Sequence, residues 1–172
     1  MMIKETFSHP FTLTEFWKMP DTVSAMNIAI NQLRKEGIPE KSLVYAAALM
    51  IGQAMTESYL NPNAWHDGFQ GFGIYGAKNE RKDDMFTWLD HNKFEHNSLE
   101  GQIRYMIHEV MTEKQYVPSQ RSLYLASPDS LEAGSLVITS NFERPKVNNW
   151  QTRLRFTQEA LDKYQGRITT NV

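Results

Sequence analysis

The sequence contains no cysteine in its 172 residues. This absence excludes a disulfide framework, a thiolate nucleophile and any zinc or iron–sulfur site built on cysteine. The sequence also has no excess of positive charge, because 18 Lys and Arg residues face 20 Asp and Glu residues, for a formal net charge of −2. That balance argues against electrostatic binding to nucleic acid or to an anionic membrane surface. We therefore expect no nucleic-acid partner.

Long hydrophobic runs are also missing. The longest apolar stretch, Leu43 to Ile51, is far too short to span a bilayer. The first residues lack the apolar region of a signal peptide. We therefore expect a soluble protein without membrane insertion, which would need release or delivery by another structure to act outside a cytoplasm.

Recognisable cofactor and metal motifs are absent as well. No P-loop or dinucleotide-binding fingerprint occurs, and no Gly-x-Ser-x-Gly elbow is present. Five histidines occur, but none forms the His-x-x-x-His pair that places two ligands on one helix face. The sequence predicts neither a metal site nor a cofactor.

What is present is the pattern of one helical domain. Residues 1–20 hold two prolines and four aromatic residues, which predicts an irregular arm packed on the body. Residues 21–172 read as a single domain, with apolar residues at helical spacing and almost no strand alternation. A helix is predicted from Leu43 to about Glu57, and its stretch from Tyr45 to Gly52 is apolar on all sides, which is typical of a buried central helix. We predict a mainly α bundle around that helix, with room for a small β-hairpin in the 65–76 loop. Helix starts are predicted near Asp21, Pro39, Met85, Ser98, Pro128 and Asn149.

Glu57 is the first candidate for chemistry, because it closes the apolar helix at its C-terminal end. The helix dipole and apolar surroundings both penalise an ionised carboxylate there, and a carboxyl that keeps its proton is the general acid of a glycosidase. A helix-end glutamate is also commonly just an exposed surface residue. The loop after it, rich in glycine and aromatic residues, favours the first interpretation because it is typical of a cleft wall that stacks on sugars.

These residues resemble a known family. The segment Glu57-Ser58-x-Leu60-Asn61-Pro62-x-Ala64, followed by Gly71-x-Gly73-Ile74, is similar to a motif of phage tail lysozymes, which are relatives of goose-type lysozymes and soluble lytic transglycosylases. Further along, Leu99 to Glu109 and Phe142-Glu143-Arg144-Pro145 resemble two later family segments. The likeness covers most of residues 25–165.

The resemblance implies a lysozyme-like α+β fold and cleavage of the β-1,4 bond between N-acetylmuramic acid and N-acetylglucosamine. It makes Glu57 the catalytic acid and peptidoglycan glycan strands the partner. It also implies action at the cell wall or periplasm after release from a host cytoplasm, or as part of a virion. The residues expected to bind substrate are Ser58, Trp65, His66, Gln70, Phe72, Tyr75 and Arg81.

A second carboxylate is less clearly marked. Asp67 lies ten residues after Glu57 and could serve as the base that activates water, although Asp67-Gly68 is also a favoured turn pair. Glu143 and Arg144 are more simply an internal pair that ties the last helices to the body. Arg81 is either a clamp on the glycan or a salt-bridge partner.

One departure from the family motif leaves the activity open. Relatives usually have Gln-Trp after Gly-Ile-x, whereas this chain has Gly76-Ala77. The missing amide and indole favour altered specificity, or an inactive glycan-binding or structural module of a phage tail. The same residues are also compatible with a lytic transglycosylase or a chitin-active glycosidase.

Overall fold

The computed structural model describes residues 17–166. Within this range, seven α-helices are joined by short 3-10 turns, one π-helical turn and a small sheet. The helices are α1 Thr22–Lys35, α2 Leu43–Ser58, α3 Glu80–His91, α4 Leu99–Thr112, α5 Val117–Tyr124, α6 Leu131–Ile138 and α7 Trp150–Tyr164. The strands are β1 Trp65–His66, β2 Gly71–Phe72 and β3 Ala77–Lys78. The predicted fold class, mainly α with a small antiparallel sheet, is confirmed.

The first helix begins where the sequence predicts. The Asp21 side chain accepts hydrogen bonds from the backbone N–H groups of Val23 and Ser24, which satisfies two donors that a helix start leaves unpaired. Ser98 does the same for α4 by accepting a bond of 2.9 Å from the Gly101 N–H. These caps fix the starts of two helices that pack against each other.

The second helix lies at the centre of the bundle. Every residue from Ala46 to Met55 is buried, so no face of this segment meets solvent. Such a helix gains its stability from apolar area removed from water, at about 25 cal/mol per Å2, and not from a polar outer face. Its last turn ends in a left-handed residue, Tyr59, whose N–H bonds to the Met55 carbonyl oxygen. Because α2 ends at Ser58, Glu57 lies at the border between the buried core and the loop that follows the helix.

The sheet lies directly after that turn. Its three short strands are antiparallel in the order β1-β2-β3, with Trp65 opposite Phe72 and His66 opposite Gly71. Because paired residues lie on the same face of a sheet, His66 and Lys78 share one face, and Trp65 and Phe72 share the other. This sheet is longer than the hairpin predicted within 65–76, since β3 extends it to residue 78.

One buried amide attaches the sheet loop to α4. The Gln102 side chain accepts a bond from the Ile74 N–H and donates to the carbonyl oxygens of Pro62 and His96. The backbone at Gly73 has a φ of +92°, and a Cβ there would lie 2.6 Å from the Gln102 side-chain oxygen. Position 73 therefore requires glycine, both because its φ is positive and because a Cβ would overlap the Gln102 side chain.

Three helical elements differ from the sequence prediction. Helix α3 begins at Glu80, five residues before the predicted start near Met85. Helix α5 is not predicted, because it is only eight residues long and only two of them, Ser119 and Leu123, are buried. The predicted helix from Pro128 to about Asn141 is a 3-10 turn, then α6, then a π-helical turn over Thr139–Glu143. The π turn ends at Arg144, which has a left-handed backbone.

The predicted arm over residues 1–20 lies mostly outside the described residues, as do its aromatic residues Phe7, Phe11 and Phe16. Trp17 is described, and its indole N–H donates a bond of 2.9 Å to the Tyr59 carbonyl oxygen at the end of α2. Among residues 17–166, no helix is long and apolar enough to cross a membrane.

Candidate active site

Glu57 lies in the last turn of α2, and its side chain is 22% exposed. One carboxylate oxygen accepts a bond of 2.5 Å from the guanidinium of Arg153 on α7. The sequence predicts apolar surroundings for this carboxyl group, whereas the structure places a buried cation against it. Glu57 is neither fully enclosed nor a free surface residue.

Arg153 is almost completely buried, with 2% of its side chain exposed. Its guanidinium also donates to the side-chain oxygens of Gln53 and Asn149, both at 2.8 Å. A buried charge is tolerated only when its donors are satisfied, and here three acceptors surround one guanidinium. This network fixes the position of Glu57.

The partly exposed side of Glu57 opens into a cavity of about 240 Å3. The cavity lies between the end of α2, one face of the sheet and the chain that follows the π turn. Its polar character comes from three carboxyl groups and three cationic side chains. The residues that line it are Glu57, His66, Asp67, Tyr75, Gly76, Lys78, Glu143, Arg144, Pro145 and Lys146.

Glu143 is the second glutamate on this cavity. Its Oε2 atom is buried and has no hydrogen-bond partner among the described residues. Burial, together with the nearby Glu57 carboxylate, raises the pKa of Glu143 well above the ordinary range. These surroundings favour the protonated form of the Glu143 carboxyl group. No ion pair joins Glu143 to Arg144 in the described part of the chain, although the sequence favours such a pair.

Asp67 also lines the cavity, in a turn where its own backbone is left-handed. Its carboxylate forms an ion pair of 2.6 Å with Lys78 on β3, and both side chains are close to half exposed. The hydrogen bond from Lys78 lowers the pKa of Asp67 below its ordinary value. Asp67 is therefore ionised near neutral pH, which suits a base and not an acid.

His66 contributes its ring to the same wall. Its Nε2 donates a bond of 2.9 Å to the Gly73 carbonyl oxygen, which fixes the proton on that nitrogen. A Cβ at position 76 would lie within 3.2 Å of the imidazole ring, so the ring packs against Gly76. His66 and Gly76 thus form one packed part of the cavity lining.

Tyr75 lines the cavity, and the Arg81 guanidinium packs against its ring. The Tyr75 hydroxyl donates a bond of 2.7 Å to Glu109, while burial and the Glu109 carboxylate raise the pKa of Tyr75 well above its ordinary value. Arg81 forms a bidentate pair with Glu109 and donates to the Phe142 carbonyl oxygen at 3.3 Å. Of the two roles that the sequence allows for Arg81, the structure has the salt bridge.

The other predicted substrate-binding residues do not line the cavity. Trp65 and Phe72 lie on the other face of the sheet with ring centroids 4.7 Å apart, and half of the Trp65 surface is exposed. Gln70 is exposed on the loop between β1 and β2. The Ser58 hydroxyl donates to the Ile74 carbonyl oxygen at 2.8 Å, which ties α2 to the sheet loop.

A comparison with protein-family models matches residues 25–164 to the phage tail lysozyme family. This range covers most of the chain and includes every residue that lines the cavity. The chain belongs to the phage tail lysozyme family. No curated protein matches the chain. The resemblance found on short motifs is thus confirmed at the level of the whole phage tail lysozyme domain.

Within this phage tail lysozyme domain, sequence reasoning missed two side chains at the site. Glu143 is visible as part of the Phe-Glu-Arg-Pro segment, but nothing in that segment indicates that it faces Glu57. Arg153 has a weaker signal, because it shares a helix face with the buried residues Thr157, Ala160 and Leu161. Residues 17–166 contain no group of three or more side chains placed to hold a metal ion.

Proposed function

We propose that this chain is a peptidoglycan-cleaving glycosidase that acts on the β-1,4 bond between N-acetylmuramic acid and N-acetylglucosamine. The observation that carries the proposal is the position of Glu57, whose carboxyl group ends a buried helix and opens into a polar cavity with two further carboxyl groups. Membership of the phage tail lysozyme family supports an action on peptidoglycan and an association with the virion.

In the proposed reaction, Glu57 gives a proton to the oxygen that leaves as the glycosidic bond breaks. Asp67, ionised beside Lys78, takes a proton from the water that attacks the sugar. With a second carboxylate on the same cavity, attack by water is favoured over attack by a hydroxyl group of the muramic acid residue. The hydrolase is therefore preferred to the lytic transglycosylase.

The size of the cavity limits how much substrate it receives. A volume of about 240 Å3 is below the range of roughly 300–1,000 Å3 that is usual for small-molecule pockets. We propose that one sugar unit enters it, while neighbouring units lie on the surface outside. Trp65 and Phe69, with exposed fractions of 50% and 68%, form an exposed aromatic pair on the other face of the sheet from the cavity.

The replacement Glu57→Gln tests the proton donor. Removal of a general acid typically costs about 10²- to 10⁴-fold in rate, so the variant is expected to clear permeabilised Gram-negative cells at least about 100-fold more slowly. The measurement is the fall in turbidity of the cell suspension, at equal protein concentration. Glu132→Gln, an exposed glutamate on α6, is the matched control and should keep full activity. Full activity in Glu57→Gln would contradict the assignment.

Mass spectrometry of the released fragments in the same assay separates the candidate activities. Reducing ends indicate hydrolysis, and 1,6-anhydro ends indicate a transglycosylase. A glycan-binding module is the second candidate, favoured by Gly76-Ala77 in place of the usual amide and indole. It would bind peptidoglycan saturably and release no fragments, whichever residue occupies position 57.

A further inference from the structure

The ionic surroundings of Glu57 do not by themselves favour a proton donor. Its carboxylate accepts a short, charge-assisted hydrogen bond from the buried Arg153. A general acid must instead hold a proton until the bond breaks. Another group in the cavity therefore has to account for that proton.

Glu143 meets this requirement by its position. It lines the same cavity as Glu57, at the end of the π turn, and its Oε2 atom is enclosed without any hydrogen-bond partner among the residues described. An enclosed carboxylate oxygen without a donor is costly, whereas a protonated carboxyl is much less so. The backbone here is held in place, since Arg81 donates to the carbonyl oxygen of the preceding residue, Phe142.

We propose that Glu143 is the second member of the proton-donating site, and that Glu57 and Glu143 hold one proton between them in front of Arg153. This inference rests on the proposed function and deepens it. With one proton on the pair, the cluster of two carboxyl groups and one guanidinium is neutral. With none it carries one net negative charge in a poorly solvated place, which is unfavourable.

In this reaction the pair needs one water molecule and no other reactant besides the glycan. The pair gives its proton to the glycosidic oxygen as the bond between that oxygen and the sugar C1 breaks. Water forms the new bond to C1 and loses its proton to Asp67, which is ionised in the resting site. The proton on Asp67 then returns to the pair through solvent, so that hydrolysis consumes one water and leaves the number of protons in the site unchanged.

Four helices place a charged side chain near Glu143. These side chains are Glu57 on α2, Arg81 on α3, Glu109 on α4 and Arg153 on α7. The remaining titratable or charged side chains on the cavity are His66, Asp67, Tyr75, Lys78, Arg144 and Lys146.

The test compares Glu143→Gln with wild type in two measurements. The first is the pH dependence of cell-wall clearing between pH 4 and 9. In the variant, the like charge beside Glu57 is gone while Arg153 stays, so the alkaline limb of activity is expected to move to lower pH by about one unit or more. Glu132→Gln, on the exposed face of α6, should leave the limb in place.

The second measurement needs no catalysis. Because the folded state holds the Glu143 proton more tightly than the unfolded chain does, wild-type stability must fall as the pH rises above about 4.3, the ordinary value for glutamate. Glu143→Gln lacks that loss, so its free energy of unfolding is expected to gain on wild type from pH 4 to pH 8. Glu132→Gln should differ from wild type by a constant amount. Should the glutamine amide prevent folding at the enclosed position, Glu143→Met provides the same comparison without a buried donor.

A stability gain and a shifted activity limb together support the inference. Parallel stability curves for Glu143→Gln and Glu132→Gln would overturn it, because Glu143 would then hold no extra proton. A stability gain with an unmoved activity limb would also overturn it, since the proton would have no part in catalysis. Failure of the wild-type protein to cleave peptidoglycan would instead refute the proposed function, whatever the stability curves show.

Discussion

Arg153 is the residue on which the site geometry depends most. Its guanidinium is buried and donates to Asn149, the residue just before its own helix, and to Gln53 and Glu57 on α2. Charge-assisted hydrogen bonds are roughly twice as strong as neutral ones, but only while every partner stays in place. One side chain therefore couples the position of the last helix to the position of the proposed acid.

We expect Arg153→Met to lower the free energy of unfolding by about 1–3 kcal/mol, because the buried Gln53 and the half-enclosed Glu57 both lose their donor. Urea denaturation measures this loss. Arg155→Met, two positions along and exposed, should change stability by no more than about 0.5 kcal/mol.

A double-mutant cycle identifies the interaction responsible. Each single change leaves the other member of the ion pair without its opposite charge, whereas the double variant has neither charge. Combining Glu57→Gln with Arg153→Met should therefore cost less than the sum of the two single changes, by about 0.5–3 kcal/mol. Strict additivity of the two changes would show that the ion pair contributes nothing.

The role of a single residue could be predicted from the sequence only where its immediate neighbours in the chain indicate that role. Glu57 stands out because it ends an apolar helix inside a recognisable motif, and the caps Asp21 and Ser98 follow from ordinary helix-start signals. Arg153 is placed by its bonds to Gln53 and Glu57 on α2, which lie 100 and 96 residues earlier in the chain, and Glu143 reaches the cavity through the π turn. No local pattern contains that information.

At the level of elements, the crossing of α2 and α7 determines the site. The two helices pack together more extensively than any other pair in the described range. They approach closely at Gly52, where a Cβ would overlap the Thr157 hydroxyl oxygen and lie 2.8 Å from the Thr157 backbone nitrogen. Arg153 lies one helical turn before Thr157, and it reaches Glu57 because the backbones are this close.

Gly52→Ala is therefore expected to destabilise the protein. Alanine gains up to about 1 kcal/mol in helix propensity, but overlap with backbone atoms costs about 1–3 kcal/mol and forces the helices apart. Thermal unfolding should show a lower Tm, with a parallel loss of cell-wall clearing. In a Thr157→Ala background the loss should shrink, since the nearest clashing atom is removed.

Gly134→Ala on α6 is the control for this change. Its Cβ would meet only the Leu49 side chain, at 3.0 Å, and a side chain can shift more easily than a backbone. Equal losses for the two glycine variants would contradict the role given to the α2–α7 crossing.

Helix type was easier to predict than helix geometry. The all-round apolar stretch before Glu57 predicted the central helix correctly, because burial on every side leaves a clear sequence pattern. The π turn over Thr139–Glu143 has no such pattern, since its extra residue per turn depends on packing against Arg81 and on the bond from Ser119 to Asn141. That turn places Glu143 on the cavity, so the second carboxyl was missed together with it.

For the whole molecule, the distribution of charge matters more than its sum. The net charge of −2 gives no reason to expect attraction to an anionic cell wall. The cavity, however, carries Lys78, Arg144 and Lys146 on its walls, with Arg153 directly behind Glu57. These four cations outnumber the three carboxyl groups of the cavity, even when Glu143 is ionised. A substrate bearing carboxylates on its peptide stems would meet a positive surface at the site itself.

Lys146→Gln tests this local attraction. The change is made in the Glu57→Gln protein, so that cleavage does not disturb the measurement, and binding to purified peptidoglycan is followed by sedimentation. Lys146 is exposed, and exposed charge pairs contribute about 0.2–1 kcal/mol, so the dissociation constant should rise by about 1.5- to 5-fold. Lys41→Gln, before the opposite end of α2, should leave the dissociation constant unchanged.

The difference in dissociation constant between the two lysine variants should vanish near 0.5 M salt, where the screening length falls to about 4 Å. An equal effect of both lysine changes would mean that the attraction comes from the overall charge and not from the cavity.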